Sequence, residues 1–266
     1  MVCNERTDVV LRSGRWLVVA ACYDFRVEAQ NMAQNGIREN LLRVRHQIAN
    51  AANRAGRHPD EITLIGVSKT HPADSIREAF DAGLQHFGEN RVQEWEGKRG
   101  RIASLPATWH LIGHLQSNKA VKAANLFHSI DAVDDFPLAQ KLDRACSALP
   151  TGQRLRILLE VHLGDEATKS GVSEAELPLL AEQVVTLQDV YLAGLMCIPP
   201  FLENMDQVRP YFARLRNLRD QLEGRLGRKF PVLSMGMSHD FEAAILEGAT
   251  EVRVGTALFG TRSVTP

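Results

Sequence analysis

Residues 62–90, ITLIGVSKTHPADSIREAFDAGLQHFGEN, contain the repeating unit that decides the fold. An apolar run over Ile62–Lys69 is followed by a helical pattern over Asp74–Ala82 and then by a second apolar run, His86–Asn90. Strand-length apolar runs that alternate with amphipathic helices are typical of parallel strands joined by helical crossovers. The stretch therefore predicts a β-α-β unit, and with it an α/β protein.

The same alternation continues along the chain, and it predicts eight strands. They are Ile62–Lys69, His86–Asn90, Trp109–His114, Leu126–Asp131, Leu155–His162, Val190–Cys197, Val232–Gly236 and Glu251–Gly260. The clearest helices between them are Asp74–Ala82, Glu174–Leu187 and Met205–Leu226. Eight strands favour a single (β/α)8 TIM-type barrel over an open doubly wound sheet, and no GxGxxG motif follows the first strand.

An additional helix is predicted before the first strand, over residues 37–55. Its apolar residues recur at helical spacing, and Gly56 ends it. Because the predicted eighth strand extends to Gly260, six residues before the last residue, we expect no helix after it. We therefore expect the N-terminal helix to fill the gap in the outer ring between strands 8 and 1.

Residues 1–35 are interpreted as an extension, separate from a barrel domain over residues 36–266. Within the extension, the apolar run Trp16–Cys22 is at the short end for a signal peptide. The competing interpretation is that Met32, which directly precedes the helix, is the natural start. We expect residues 1–31 to contribute nothing to the barrel.

The composition excludes several functional classes. The formal net charge of the 266 residues is -1, which gives no basic face for nucleic acid. No run approaches the roughly 20 apolar residues of a membrane span. The four cysteines form no CxxC pair and no metal-ligand spacing, so we expect a reduced, cytoplasmic protein without a metal site.

Candidate chemistry lies where the predicted strands end, because barrel active sites lie at the C-terminal ends of strands. Lys69 ends strand 1, and partial burial there would favour the neutral amine that forms Schiff bases. The alternative is a lysine that only extends its ammonium group to the rim. Asn90 and His114 end strands 2 and 3, where each is a candidate ligand-binding residue or simply a loop residue or helix cap.

A phosphate site is predicted after strands 7 and 8. Strand 7 leads into Ser234–Asp240 and a helix, and strand 8 contains Arg253-Val-Gly-Thr256. Small residues and a helix N-terminus in these loops are typical of phosphate sites in barrels. Ser238 and Asp240 are alternatively N-caps, with Asp240 facing the helix. Arg253 lies among valines, so we expect it to need a carboxylate or a ligand as its partner.

Several segments, taken together and in order, resemble the pyridoxal phosphate homeostasis protein family. The resemblance covers residues 36–262 and leaves residues 1–35 without a counterpart. The segments are Leu64-Ile-Gly-Val-Ser-Lys-Thr70, His86-Phe-Gly-Glu-Asn90, Trp109-His-Leu-Ile-Gly-His-Leu-Gln-Ser-Asn-Lys119, Gly194-Leu-Met-Cys-Ile-Pro199, Leu233-Ser-Met-Gly-Met-Ser-His-Asp-Phe-Glu-Ala-Ala-Ile245 and Val252-Arg-Val-Gly-Thr-Ala-Leu-Phe-Gly-Thr-Arg262.

The resemblance implies the barrel half of alanine racemase, a fold-type III barrel for pyridoxal 5'-phosphate (PLP). It implies that Lys69 holds PLP as a Schiff base and that Asn90 lies against the cofactor ring. It further implies that Arg253 faces the pyridine nitrogen. By the same likeness, the phosphate is held by Ser234, Gly255 and Thr256.

The function that this resemblance implies is intracellular homeostasis or delivery of PLP, without substantial catalysis. The expected partners are PLP and the apo-forms of PLP-dependent enzymes, and the expected state is a monomer or weak homodimer. An amino-acid racemase and a cofactor-free lysine aldolase are the alternatives. A racemase needs a second base, which is a tyrosine from a separate domain in enzymes of the alanine racemase type. None of Tyr23, Tyr191 and Tyr211 is placed for that role.

Overall fold

The computed structural model describes residues 36–149, 152, 154–164 and 170–260, so the predicted extension and Met32 lie outside the described residues. Eight parallel strands form a closed barrel in which each strand pairs with its neighbours in chain order. The strands are β1 (Thr63–Val67), β2 (His86–Glu89), β3 (Thr108–Leu111), β4 (Ser129–Val133), β5 (Leu155–Glu160), β6 (Val190–Met196), β7 (Val232–Ser234) and β8 (Glu251–Val254). The predicted TIM-type barrel is confirmed.

Helices surround the barrel and bury their apolar faces against the outer sides of the strands. They are α1 (Ile37–Arg54), α2 (Ala73–Asp81), α3 (Val92–Ile102), α4 (Ala120–Leu126), α5 (Phe136–Ser147), α6 (Leu177–Val184), α7 (Met205–Leu226), α8 (Phe241–Leu246) and α9 (Thr256–Phe259). No helix among the described residues is long and apolar enough to cross a membrane.

Three strand predictions were wrong by three residues or more. The third strand was predicted to His114, but β3 ends at Leu111. The fourth strand was predicted from Leu126, but Leu126 is the last residue of α4 and β4 begins at Ser129. A short apolar run fits a buried helix end as well as a strand, so periodicity could not separate the two. The eighth strand was predicted to Gly260, whereas β8 ends at Val254 and the next residues form α9.

The extra N-terminal helix lies in the gap between the two ends of the ring, as predicted. It packs against α2, α8 and α9. The Asn40 side-chain amide donates a hydrogen bond to the Leu258 carbonyl over 3.1 Å, and Arg57 after the helix donates to the Ala249 carbonyl over 2.6 Å. The expectation that no helix follows strand 8 was wrong, but α9 spans only four residues, so α1 covers this side of the barrel.

A charged network fills the N-terminal end of the barrel. The Arg156 guanidinium donates to both Glu251 oxygens, over 2.6 and 3.0 Å, and to the Ser129 hydroxyl over 2.8 Å. The Asp131 carboxylate connects this arginine with His110, whose ring lies 3.1 Å from one Asp131 oxygen. These contacts join β3, β4, β5 and β8 inside the barrel.

The packing of α1 leads to a direct test, because two adjacent leucines on this helix have opposite environments. Leu41 is 1% exposed and Leu42 is 62% exposed. Leu41→Ala should lower the free energy of unfolding by about 2–4 kcal/mol through the cavity that it leaves. Leu42→Ala should change it by about 0.5 kcal/mol or less. Urea unfolding followed by circular dichroism measures both. Equal effects would contradict the placement of α1 as the helix that closes the ring.

Candidate functional site

The turn that carries Lys69 follows β1 and is tied to β2 and α3. The Ser68 N–H donates to the Gly88 carbonyl over 3.0 Å, and the Ser68 hydroxyl donates to Glu89 Oε1 over 2.7 Å. The Lys98 ammonium donates to the Ser68 carbonyl and to Glu89 Oε1, over 2.8 and 2.9 Å. The residue before Lys69 is therefore fixed through both its backbone and its side chain.

The residue after Lys69 is fixed as well. Thr70 has a φ of 65°, in the left-handed region that a β-branched residue rarely adopts. Its N–H donates to the Glu94 carboxylate, which also accepts from Lys98 over 3.3 Å. Because neighbours on both sides are held, the backbone of Lys69 has little freedom. Strained backbone of this kind persists where surrounding contacts over-determine it, which is common at functional sites.

Arg253 is the buried cation of the site, with an exposure of only 3%. One guanidinium nitrogen donates to the Ser234 hydroxyl over 2.8 Å, and another donates to the Cys197 carbonyl over 2.8 Å. The expected partner was a carboxylate or a ligand, but these two contacts use a hydroxyl and a carbonyl. They account for two of the five donors that a guanidinium carries. Burial raises the pKa of the Cys197 thiol to about 12, so this thiol stays protonated.

The loop after β7 folds back onto the end of β8. Gly236 has a φ of 93°, and its carbonyl accepts the N–H of Arg253 over 3.0 Å. The Ser238 hydroxyl accepts the N–H groups of Gly255 and Ala257, over 3.2 and 3.4 Å. Two backbone N–H groups thus converge on one oxygen, which is an arrangement that also suits a phosphate oxygen.

The N-cap interpretations of Ser238 and Asp240 were wrong. Ser238 contacts the start of α9, not that of α8. Asp240 precedes α8 but makes no side-chain cap; its carboxylate accepts the Met237 N–H over 2.5 Å. Asp240 is fully buried, and its side chain therefore stabilises the loop rather than the helix.

Sheet register brings the ends of β7, β8 and β1 into one corner of the barrel mouth. Arg253 pairs with Ile65 on β1, and a Cβ on Gly255 would lie 3.4 Å from the Cβ of Val67. Lys69 lies two residues beyond Val67. The structure thus brings the predicted Lys69, Ser234, Arg253, Gly255 and Thr256 to the same corner.

Asn90 follows β2, one strand further round. It lines a cleft of about 530 Å³ together with His114 and Lys119. A Cβ on Gly113 would lie 2.5 Å from the Asn90 carbonyl oxygen, so the chain after β3 packs directly on Asn90. Asn90 thus belongs to the mouth, next to the corner that holds Lys69.

Two acidic residues at the mouth were missed by the sequence interpretation. Glu160 ends β5 and is 5% exposed, and Asp134 directly follows β4. The His114 ring lies 3.6 Å from one oxygen of Asp134. Arg253 was singled out because it is a charged residue within an apolar strand. Glu160 has the same signal in the sequence. Asp134 was hidden because strand 4 was predicted to end at Asp131.

One group of described residues at the opposite end of the barrel has metal-ligand types: His110, Asp131 and Glu251. However, the Arg156 guanidinium donates to both of these carboxylates. A cation already compensates their charge, so the arrangement favours an internal ion-pair network rather than a metal centre.

Comparison with known proteins defines the class of this chain. Residues 39–263 match the family described as alanine racemase, N-terminal domain. The structure of alanine racemase from Clostridium difficile superposes with a TM-score of 0.67 at 16% identity, over 86% of this chain and 58% of the racemase. At that identity the likeness shows the fold alone. The chain is thus a barrel protein of the alanine racemase type.

Curated relatives narrow the assignment. Pyridoxal phosphate homeostasis proteins of Aquifex aeolicus and Pseudomonas aeruginosa are 46% and 48% identical to this chain. These alignments cover 84% and 85% of this chain and 97% and 96% of the relatives. The structure of PipY from Synechococcus elongatus PCC7942 with PLP bound has a TM-score of 0.75 at 41% identity, over 84% of this chain and all of PipY. The chain belongs to the pyridoxal phosphate homeostasis protein family.

The buried ion pair between Lys98 and Glu89, which holds Ser68 in the turn before Lys69, gives a second test. The Glu89 side chain is 1% exposed, and burial raises the pKa of its carboxyl. Lys98→Met removes the cation that compensates it, so the free energy of unfolding should fall by roughly 3 kcal/mol. The matched control is Lys122→Met, because Lys122 pairs with Glu96 on the outer surface and is 50% exposed. That control should lose about 1 kcal/mol or less. Chemical denaturation measures both, and similar losses would contradict the role of Lys98.

Proposed function

We propose that this protein binds PLP covalently through Lys69 and serves to store the cofactor and deliver it within the cell. The observation that carries the proposal is the corner where β7, β8 and β1 end. There a fixed lysine turn, a buried guanidinium and converging backbone N–H groups lie together. The names of the relatives and the PLP-bound structure of PipY support the same function.

The residues of the corner fit the chemical groups of PLP. Ser234, Gly255 and Thr256 would hold the phosphate, using two hydroxyls and a backbone N–H. Arg253 would face the pyridine nitrogen with donors beyond those used on Ser234 and Cys197. Asn90 would lie against the ring from the side of β2. When bound, PLP supplies an aldehyde carbon that reacts reversibly with primary amines.

Two features favour a carrier over a catalyst. The fixed positive charge of Arg253 would keep the pyridine nitrogen unprotonated, which makes the ring a poor electron sink. The tyrosines in the described part of the chain are Tyr191, which is 41% exposed near the start of β6, and Tyr211 in α7. Neither lies at the mouth, where a racemase would need its second base. The amino-acid racemase is therefore the weaker candidate.

Covalent attachment is tested at Lys69. Lys69→Ala should abolish the adduct that borohydride reduction fixes, because Lys98, the other amine beside that turn, is held by the Ser68 carbonyl and Glu89. The variant should stay folded, with a change in the free energy of unfolding of about 1 kcal/mol or less. Mass spectrometry of the labelled peptide measures attachment, and Lys122→Ala on the outer surface is the control. A stoichiometric adduct in the Lys69 variant would refute the assignment.

Delivery is tested by transfer. Protein loaded with PLP is mixed with the apo-form of an unrelated PLP-dependent enzyme, and reactivation is followed against an equal amount of free PLP. We expect the loaded protein to restore activity, because the active-site lysine of the apo-enzyme is a primary amine that can displace Lys69 from the aldehyde carbon of PLP. Retention of all PLP by the loaded protein, with substantial racemisation of one amino acid, would replace the carrier function by the racemase.

A further inference from the structure

Two carboxylates, the buried Glu160 and the partly buried Asp134, lie across the barrel mouth from Lys69. In the closed barrel, β5 is four strands away from β1 in either direction, so Glu160 at the end of β5 faces Lys69 from the opposite wall. Glu160 lies two residues after Leu158, which belongs to a small apolar cluster separate from the main core between strands and helices. Side chains two residues apart point to the same face of a strand, so Glu160 points into the barrel.

These carboxylates have unused acceptor atoms. Among the described residues, neither Glu160 Oε2 nor Asp134 Oδ1 has a hydrogen-bond partner, although both atoms are buried. From the part of the chain that the structure describes, the other Glu160 oxygen accepts one long hydrogen bond, from Ser170 over 3.4 Å. Buried polar groups without partners are rare in native proteins, and each such group requires an explanation.

The electrostatics indicate the kind of group that is needed. Burial raises the pKa of Glu160, the nearby Asp134 carboxylate raises it further, and Arg253 and His114 lower it. The two carboxylates are therefore close enough to repel each other. A cation with several N–H donors would satisfy both oxygens and remove the repulsion. The described residues that could jointly hold a metal ion lie at the other end of the barrel, which makes an ammonium group the better match.

We propose that Glu160 and Asp134 bind the distal ammonium group of a dibasic amine, whose other amino group exchanges with Lys69. This inference rests on the proposed function and names the class of amine that the site prefers. In the exchange one amine nitrogen bonds to the PLP carbon, the Lys69 nitrogen leaves that carbon, and one proton passes between the two nitrogens. No oxidant or reductant is needed.

The geometry explains why two amino groups are required. The exchanging nitrogen must reach the wall that carries Lys69, whereas the carboxylates lie on the wall formed by β4 and β5. A monoamine that reacts at Lys69 leaves the carboxylates without donors. A diamine offers these carboxylates a second ammonium group, so it should bind better than a monoamine of the same length.

The test compares 1,5-diaminopentane with pentylamine, which have the same carbon chain and differ in the second ammonium group. Displacement of Lys69 from the PLP-loaded protein is followed by absorbance, normalised to the fraction loaded. The diamine should half-saturate at a concentration about ten-fold lower, as expected for hydrogen bonds to charged groups. Because either of the two identical ends of the diamine can react, statistics alone lower its half-saturating concentration two-fold. An advantage no larger than this factor in the wild-type protein would overturn the proposal.

The double variant Glu160→Gln/Asp134→Asn should reduce the advantage of the diamine to about two-fold. The control Glu182→Gln removes one acidic charge from the outer surface, where Glu182 pairs with Arg225, and should keep the advantage. A ten-fold advantage that persists in the double variant would overturn the assignment to these two residues.

A second readout needs no cofactor. In the apo-protein, 1,5-diaminopentane should raise the melting temperature more than pentylamine does, and the double variant should abolish the difference. Equal shifts in the wild-type apo-protein would contradict the ammonium site. These outcomes are separate from those that test the proposed function, which are the attachment of PLP at Lys69 and its transfer to an apo-enzyme.

Discussion

The alignment of β8 depends on its two inward-pointing charged residues, and the rest of the site depends on that alignment. Glu251 meets Arg156 at the N-terminal end of the barrel, and Arg253 meets Ser234 and the Cys197 carbonyl near the mouth. A shift of the β8 register by one residue would turn the side chains of Glu251 and Arg253 toward the apolar faces of the helices, where neither has a partner. The two contacts therefore allow one register, and that register places Gly255 beside Val67.

A second buried ion pair, between Glu89 and Lys98, fixes the end of β1, the strand that pairs with β8. Glu89 points outward from β2, toward α3, and meets Lys98 there. Through Ser68 this pair fixes the turn after β1. The corner of the mouth is thus positioned from two sides: from inside the barrel through β8, and from the helical layer through Lys98. Both supports are salt bridges with little exposure, whose loss leaves an uncompensated charge.

Much of this architecture could be predicted from sequence because it depends on local patterns. Alternating apolar runs and helical periodicity predict the barrel, and the helix Met205–Leu226 has the bounds that its periodicity predicts. Contacts between distant segments left no such pattern. Ser238 looks like an ordinary cap until β8 is known to lie beside it. Asp134 lies at the mouth because β4 ends at Val133 and not at the predicted Asp131. The helix α9 spans four residues, which is too short for helical periodicity to be detected.

The hydrogen bond between Asn40 and Leu258 joins residues that are 218 positions apart. During synthesis α1 therefore leaves the ribosome long before the segment on which it packs. The ring and the corner formed by β7, β8 and β1 close only when residues 251–259 have emerged, since these residues complete both. Contacts so distant in sequence form late in folding. A partly synthesised chain consequently lacks the corner at which the lysine turn, the buried guanidinium and the backbone N–H groups meet.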